Sequence, residues 1–436
     1  MITQARVPSW SASLAYLRDA FEGTAGLARQ ADLVRTRLLG WETVVLSQPA
    51  LVEEVLRGAP EVWIKDALTR RMLPVGGLLT SDGAVWRRQR RLVNPAFHAG
   101  HAEGYAVLFA RHLAARVGTW APGQTLDLTA EMSTLTLDIA VEAFFGEALE
   151  PDERAAVARG MDHLVTWLAS ALAALPWEAP RWLPTRRRAD AGLQEIRGVV
   201  GRILARRAGS VGEDLLGTLL SARDEQGDGL SAEEVTDQVV TFLVAGHETT
   251  SLALVFALHL LGRHPDALAR AQAEVAAIPG PLGVGQLDGL RWVRAVADEA
   301  LRLYPPAWML SREPKVDTTV GGVPVAAGTL VILPVQFLHH DPRLWPDPER
   351  FDPGRFLGSD ALRAPRGGYL PFGLGPRMCV GSRFASLELA LILAGLLRAG
   401  HLEPTDAQLP PLAPSITSRP TRPVRAIWRP HAQETA

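Results

Sequence analysis

The sequence predicts a mainly α, α+β protein built around one long central helix. Three observations point there. Apolar residues recur at helical spacing over most of the chain up to about residue 305. One such run, from Ala232 to His264, opens on a capping-box pair, Ser231 with Glu234, and is stopped by Pro265. Beyond Pro305–Pro306 the character changes to short β-rich runs and proline-rich coil, which supplies a small sheet.

In chain order, Asp127 to Phe145 carries apolar residues three and four apart, the mark of a packed helix. Pro176, Pro180 and Pro184, beside Trp177 and Trp182, give a stiff turn, and Arg181 to Arg207 reads as an arginine-studded helix. The Ala232–His264 helix would span ~50 Å at ~1.5 Å per residue, and its apolar character places it in the middle of the protein. A further helix, Arg291 to Tyr304, ends at the paired prolines. Thr318 to Val325 reads as a hairpin turning at Gly321–Gly322, and Thr329 to Val335 as a strand. A coil over about 341–378 leads into a last helix, Ser382 to Arg398.

Composition narrows the function. Of 436 residues, 47% are hydrophobic and 21% charged, which excludes disordered, collagen-like and coiled-coil classes. A net charge of −2 provides no field to hold a nucleic-acid backbone. Lys65 and Lys315 are the only lysines, and neither follows the glycines of a phosphate loop. The single cysteine, Cys379, forms no internal disulfide and suits a reducing compartment. With no signal-like amino terminus and no apolar run of spanning length, the chain reads as soluble and cytoplasmic, without a transmembrane segment.

The chemistry concentrates in Phe372-Gly373-Leu-Gly375-Pro-Arg377-Met-Cys379-Val-Gly381. The cysteine sits on a glycine-rich loop just before a helix, where the helix's free N–H groups and dipole favour thiolate over thiol. Arg377 adds a nearby cation, and the glycines let a flat ligand approach the backbone. A thiolate fixed in this way can ligate haem iron. On the central helix, Ala245-Gly-His-Glu248-Thr249 sets a carboxylate and a hydroxyl side by side, a pair suited to relaying protons. A mid-helix threonine also bonds back to the preceding turn, bending the helix. A zinc-protease reading of His247-Glu248 fails because Ser251 stands where the second histidine is needed.

These segments resemble the cytochrome P450 superfamily. The cysteine decapeptide is similar to its haem-binding loop and the Ala245–Thr250 segment to its oxygen-activation motif. Glu299-Ala-Leu-Arg302 resembles its Glu-x-x-Arg motif, and Pro348-Glu-Arg350-Phe351 its Pro-Glu-Arg-Phe motif. The resemblance covers at least residues 86–400 and implies a haem-thiolate fold, a single catalytic domain over 1–436 and no fused reductase. It implies haem b with Cys379 as the axial metal ligand, and Glu248 and Thr249 as catalytic residues. Phe372, Gly373 and Gly381 would form the cofactor loop, and Glu299, Arg302 and Arg350 a structural cluster. Trp86 and Arg90 resemble the family's propionate-binding Trp-x-x-x-Arg pair, with Arg377 and Arg312 as further candidates. Where many relatives have His-Arg-Asp-Pro, this chain has His339-His340-Asp-Pro342, which moves a propionate contact to His339.

The resemblance also implies a monomer served by a separate ferredoxin or flavodoxin with an NAD(P)H reductase. Arg87, Arg88 and Arg91 offer either a solvated helix face or a docking patch for that acidic donor. Around the substrate it places Leu78 and Leu79 before the Trp86 helix, and Val240, Leu243, Val244 and Ala245 on the central helix. Ala307, Trp308, Met309 and Leu310 follow the paired prolines, and Ile416 lies near the carboxy terminus. All are apolar, so a large hydrocarbon with little polarity is expected. The run Glu299–Met309 looks especially like a carotenoid-hydroxylating branch, giving carotenoid ring hydroxylation as the leading expectation. A fatty-acid or terpenoid hydroxylase, an H2O2-driven peroxygenase and a non-catalytic haem sensor are the alternatives. The apolar 164–182 region suits a lid in transient contact with a membrane surface.

Overall fold

The computed structural model describes residues 2–73, 75–97, 102–146, 149–168, 170, 173, 175, 178–207, 214–358 and 365–431. Pro176 and Trp177 therefore lie outside the described residues.

The central helix runs Ala232–Arg263. The Ser231 hydroxyl accepts the Glu234 N–H at 3.1 Å, and the Glu234 carboxylate accepts the Ser231 N–H at 2.9 Å, closing the expected capping box. Among the described residues this is the one helix long and apolar enough to cross a membrane, but 83% of its most apolar window is buried inside the protein. It packs along the helices Leu128–Phe145, Arg291–Leu303 and Ser382–Ala399. Thr136 pins the first of these to it, donating its hydroxyl to the His247 carbonyl at 3.0 Å.

Strand content is larger than the sequence suggests. A six-stranded sheet runs in the order Gln4–Arg6, Leu33–Leu38, Trp41–Leu46, Leu330–Leu333, Leu310–Pro314 and Trp63–Ile64. Its first three strands fall where helical periodicity was expected to prevail. Val44, Val45 and Leu46 are all buried, so that strand shows no polar alternation to betray it. Its hairpin partner joins through Leu39 and Gly40, at φ 49° and 93°. The Gly321–Gly322 turn forms as expected, at φ 56° and 77°.

The Leu310–Pro314 strand emerges from the paired prolines and carries Leu310 and Arg312 back into the molecule. Near the carboxy terminus a small hairpin pairs Leu412–Pro414 with Ser418–Pro420, setting Ala413 opposite Arg419. The arginine-studded helix spans Pro184–Arg206 rather than beginning at Arg181, because Pro184 takes its first turn. The tryptophans of the 164–182 region part company: Trp167 is core, whereas Trp182 is 73% exposed.

Candidate active site

The cysteine loop is shaped by its glycines. Gly373 and Gly375 take φ 71° and 76°, and a Cβ on Gly375 would lie 2.1 Å from the Leu56 carbonyl oxygen. The Cys379 N–H donates to the Phe372 carbonyl at 2.9 Å, and the last helix begins three residues on, at Ser382. Cys379 keeps an exposed surface, yet the protein packed around the loop pushes its free thiol up, while the Gly381 N–H and the Arg90 guanidinium pull it down. The cation beside the sulfur is thus Arg90. Arg377, expected there, bonds instead to the Ser81 carbonyl at 3.0 Å and to Asp82, with its guanidinium 4.6 Å over the Trp86 ring.

Arg377 belongs to a buried cationic cluster. Its Nε is buried with no hydrogen-bond partner among the described residues. Arg312, 6% exposed, donates to the Ser311 carbonyl; burial and the Arg377 charge push its pKa down to about 10. Lys65 joins them, driven down to about 8 by burial against the pull of Asp66. Burial works to raise Asp66, but Lys65, Ser311 and Thr69 together hold it below its usual range. Arg70 is shared between Asp82 and Glu313. Five cations (Lys65, Arg70, Arg90, Arg312, Arg377) thus meet three carboxylates (Asp66, Asp82, Glu313), a surplus of two in a partly buried place. That surplus and the orphan Arg377 Nε fit a ligand with two carboxylates, as haem has. Lys65 was missed in the sequence; its rarity and its place next to Asp66 were the available signal.

In the middle of the otherwise buried central helix, Ala245 is exposed and Gly246 and Thr249 are half-buried, one accessible face at helical spacing. Phe144 lies 3.8 Å from where a Gly246 Cβ would stand, and Phe97 lies 3.7 Å from that of Gly381. Phe242 packs on both rings, at 5.9 and 5.4 Å between centroids, and so connects the helix to the cysteine loop. These three phenylalanines were not anticipated. Thr249 donates back to the Ala245 carbonyl at 2.8 Å, as expected. Glu248 turns aside, one carboxylate oxygen accepting from Thr417 at 2.8 Å and lying 2.9 Å from the Arg419 Nε as an ion pair.

The other expected residues divide. Glu299 and Arg302 form a bidentate pair at 2.7 and 2.8 Å with both side chains fully buried. Arg302 also donates to the carbonyls of His339, Pro348 and Arg350, at 2.8, 2.7 and 3.2 Å. Arg350 thus contributes backbone, and the guanidinium that reaches Glu299 is that of Arg355, at 3.4 Å. The polypeptide turns between them, so position in the motif misidentified the partner. His339 is no cation for a propionate. Fully buried, it accepts the Leu370 N–H at 2.8 Å, and burial drives it down to about 3.

Val240 and Leu243 are completely buried and Val244 nearly so, on the helix faces turned into the core, leaving Ala245 as the accessible one of the four. Trp308 faces away: its Nε1–H donates to the Ser415 carbonyl at 2.8 Å and its ring meets Phe21 edge-on at 4.9 Å. Met309 likewise packs with the amino-terminal core. Leu310 stays at the loop, 3.6 Å from where a Gly373 Cβ would stand. Leu78 is buried, its N–H donating to Gln238 at 3.0 Å; Leu79, Ala307 and Ile416 are half-buried. The arginines read as either a solvated face or a docking patch are neutralised: Arg87 by Glu61, Arg88 by Asp224 and Glu234, and Arg91 by Glu225.

The cytochrome P450 family model matches residues 27–427. The chain belongs to the cytochrome P450 family. Its P450 relatives include the cyclooctat-9-en-7-ol 5-monooxygenase of Streptomyces melanosporofaciens, 38% identical over 91% of this chain and 88% of the relative. The cyclooctatin synthase of the same organism is 34% identical over 90% and 87%. A crystal structure of the cytochrome P450DA heme domain superposes with a TM-score of 0.85 at 30% identity, covering 99% and 98% of the two chains. This P450 is accordingly a monooxygenase whose cofactor is haem b with an axial thiolate. P450s of this kind typically draw electrons from a separate redox partner. Neither of the two named relatives acts, by its name, on a carotenoid, and the carotenoid expectation finds no support here.

Proposed function

We propose that this P450 hydroxylates a large cyclic terpenoid, with Cys379 as the iron ligand and Glu248 and Thr249 as the proton-relay pair. The observation that carries the site is the bridge of three phenylalanines that brings the accessible Ala245–Thr249 face to the Cys379 loop. Trp86, Arg90, Arg312, Arg377 and Lys65 would hold the propionates, because their surplus positive charge needs two anions. When bound, haem supplies O2 activation for the overall reaction RH + O2 + 2e⁻ + 2H⁺ → ROH + H2O. The residues of the chain bind the substrate, exclude water and deliver the two protons.

Leu310, Ala307, Leu79 and Ile416 offer apolar surface and no anion clamp, which suits a hydrocarbon with few hydroxyls. The cyclooctatin names of two relatives favour a cyclic terpenoid over a carotenoid or a fatty acid. The test is an optical titration of the ferric protein with a cyclic diterpene alcohol, a carotenoid and a long-chain fatty acid. A low- to high-spin Soret shift with the diterpene alcohol alone supports the reading; a shift confined to either other class overturns it.

A further inference from the structure

The acid of the proposed relay is held from outside its own helix. Glu248 is 6% exposed at its side chain, and one of its oxygens accepts from Thr417 Oγ1 and pairs with the Arg419 guanidinium 2.9 Å away. Thr417 ends the turn of the carboxy-terminal hairpin and Arg419 lies in its second strand, Ser418–Pro420. That hairpin is in turn tied to the chain after the paired prolines. The Ser418 hydroxyl donates to the Pro305 carbonyl at 2.7 Å, the Ser418 N–H to that of Pro306 at 2.9 Å, and Trp308 Nε1 to that of Ser415 at 2.8 Å. Ile416 and Ala307, two of the apolar residues assigned to substrate, lie within these same two segments. Arg419 itself is 38% exposed, so its guanidinium joins the buried carboxylate to solvent.

We infer that Arg419 is a positioning residue that parks the Glu248 carboxylate on the hairpin and sets its release towards Thr249, so that substrate pressing on the hairpin controls proton entry. This rests on the relay reading of Glu248 and Thr249. In the parked state Glu248 is held by the Thr417 hydrogen bond and the Arg419 charge, while Thr249 donates to the Ala245 carbonyl, so the relay pair is not joined. Movement of Ile416 and its neighbours loosens the Arg419 contact. The carboxylate then takes a proton at the solvent side and passes it on towards Thr249, with no net change in either residue. An ion pair with one exposed partner is weak enough to open in this way.

His247, next in the chain, reports on the pair independently. Its Nδ1 bonds the Leu243 carbonyl at 2.7 Å, and burial chiefly holds its pKa down, with Arg419 adding to that and Glu248 opposing it. Arg419→Gln and Arg419→Lys test the inference in the holoenzyme, with thermal unfolding to confirm that both fold. In the diamagnetic ferrous–carbonyl form, His247 should titrate higher in Arg419→Gln than in the parent, and Arg419→Lys should restore it. With a ferredoxin, its reductase and the diterpene alcohol sclareol, peroxide released per NADPH should rise about threefold in Arg419→Gln, the order of effect of an ion pair with one exposed partner. Arg419→Lys should return most of that loss. An unmoved His247 overturns the contact, and equal peroxide release in the parent and Arg419→Gln overturns the control of proton entry. The His247 reading needs no substrate, so a failure of the terpenoid assignment leaves it standing.

Discussion

Two carboxylate–arginine pairs divide the work of this molecule. In Glu299–Arg302 both side chains are completely buried, every oxygen and guanidinium nitrogen faces a fixed partner, and three backbone carbonyls complete the guanidinium. In Glu248–Arg419 the carboxylate is buried, but the arginine is 38% exposed and only Thr417 shares the load. The first pair lies 3 residues apart on one helix and anchors the coil that leads to Cys379, whereas the second joins elements 171 residues apart, counting from Glu248 to Arg419. Full desolvation makes an ion pair a structural lock, because breaking it strands a charge. A wet partner leaves the second pair free to open.

The contrast ranks the expected effects. Arg302→Ala should be the most damaging, removing about 3–5 kcal/mol by stranding Glu299 and abolishing haem incorporation. Denaturant unfolding of the apoprotein and the holoprotein yield measure this, and near-parent stability would show that the pair is not a lock. Arg355→Ala should remove about 1–3 kcal/mol, since Glu299 keeps Arg302 and the Asp352 N–H at 2.9 Å. Arg87→Ala, which breaks an exposed pair with Glu61, should shift stability by less than about 1 kcal/mol.

Acidity sharpens the same comparison. His339, beside Arg302, is held down to about 3 by burial, so the native state resists its protonation. Stability should therefore fall as pH drops from 6.5, its ordinary value, towards 3, and His339→Gln should flatten that limb. Glu388 behaves in the opposite sense. Facing Thr250 of the central helix, it is raised by burial to about 8 from 4.5, so the native state holds its proton more tightly. Its contribution is full below 4.5 and is lost as pH climbs to about 8. Glu388→Gln should remove that decline, as followed by Tm across the range; an unchanged profile would place a different group in that role.

What the sequence made legible follows the range of the interactions. Local signals held: the capping box of Ser231 and Glu234, the glycine turn at 321–322 and the Glu299–Arg302 spacing. The cysteine loop was readable because its chemistry needs neighbours within ten positions. The partners missed are distant in the chain. Arg355 and Arg419 are two arginines among many, and nothing local separates them from their exposed counterparts. Trp308 was placed at the substrate by the family resemblance, but its indole N–H needs an acceptor, and the hairpin carbonyl of Ser415 turns it away. Val240 and Leu243 were placed by the resemblance along the central helix, which names the element but not which of its faces looks into the core, where both are buried.

The most direct test of the account is the reduced carbonyl spectrum of the protein beside Cys379→Ala and Arg377→Ala. Cys379 as ligand predicts a thiolate-type Soret band in the parent, its loss in Cys379→Ala, and its retention at lower haem occupancy in Arg377→Ala. A thiolate-type band surviving in Cys379→Ala would contradict the assignment on which the site and its proton path are built.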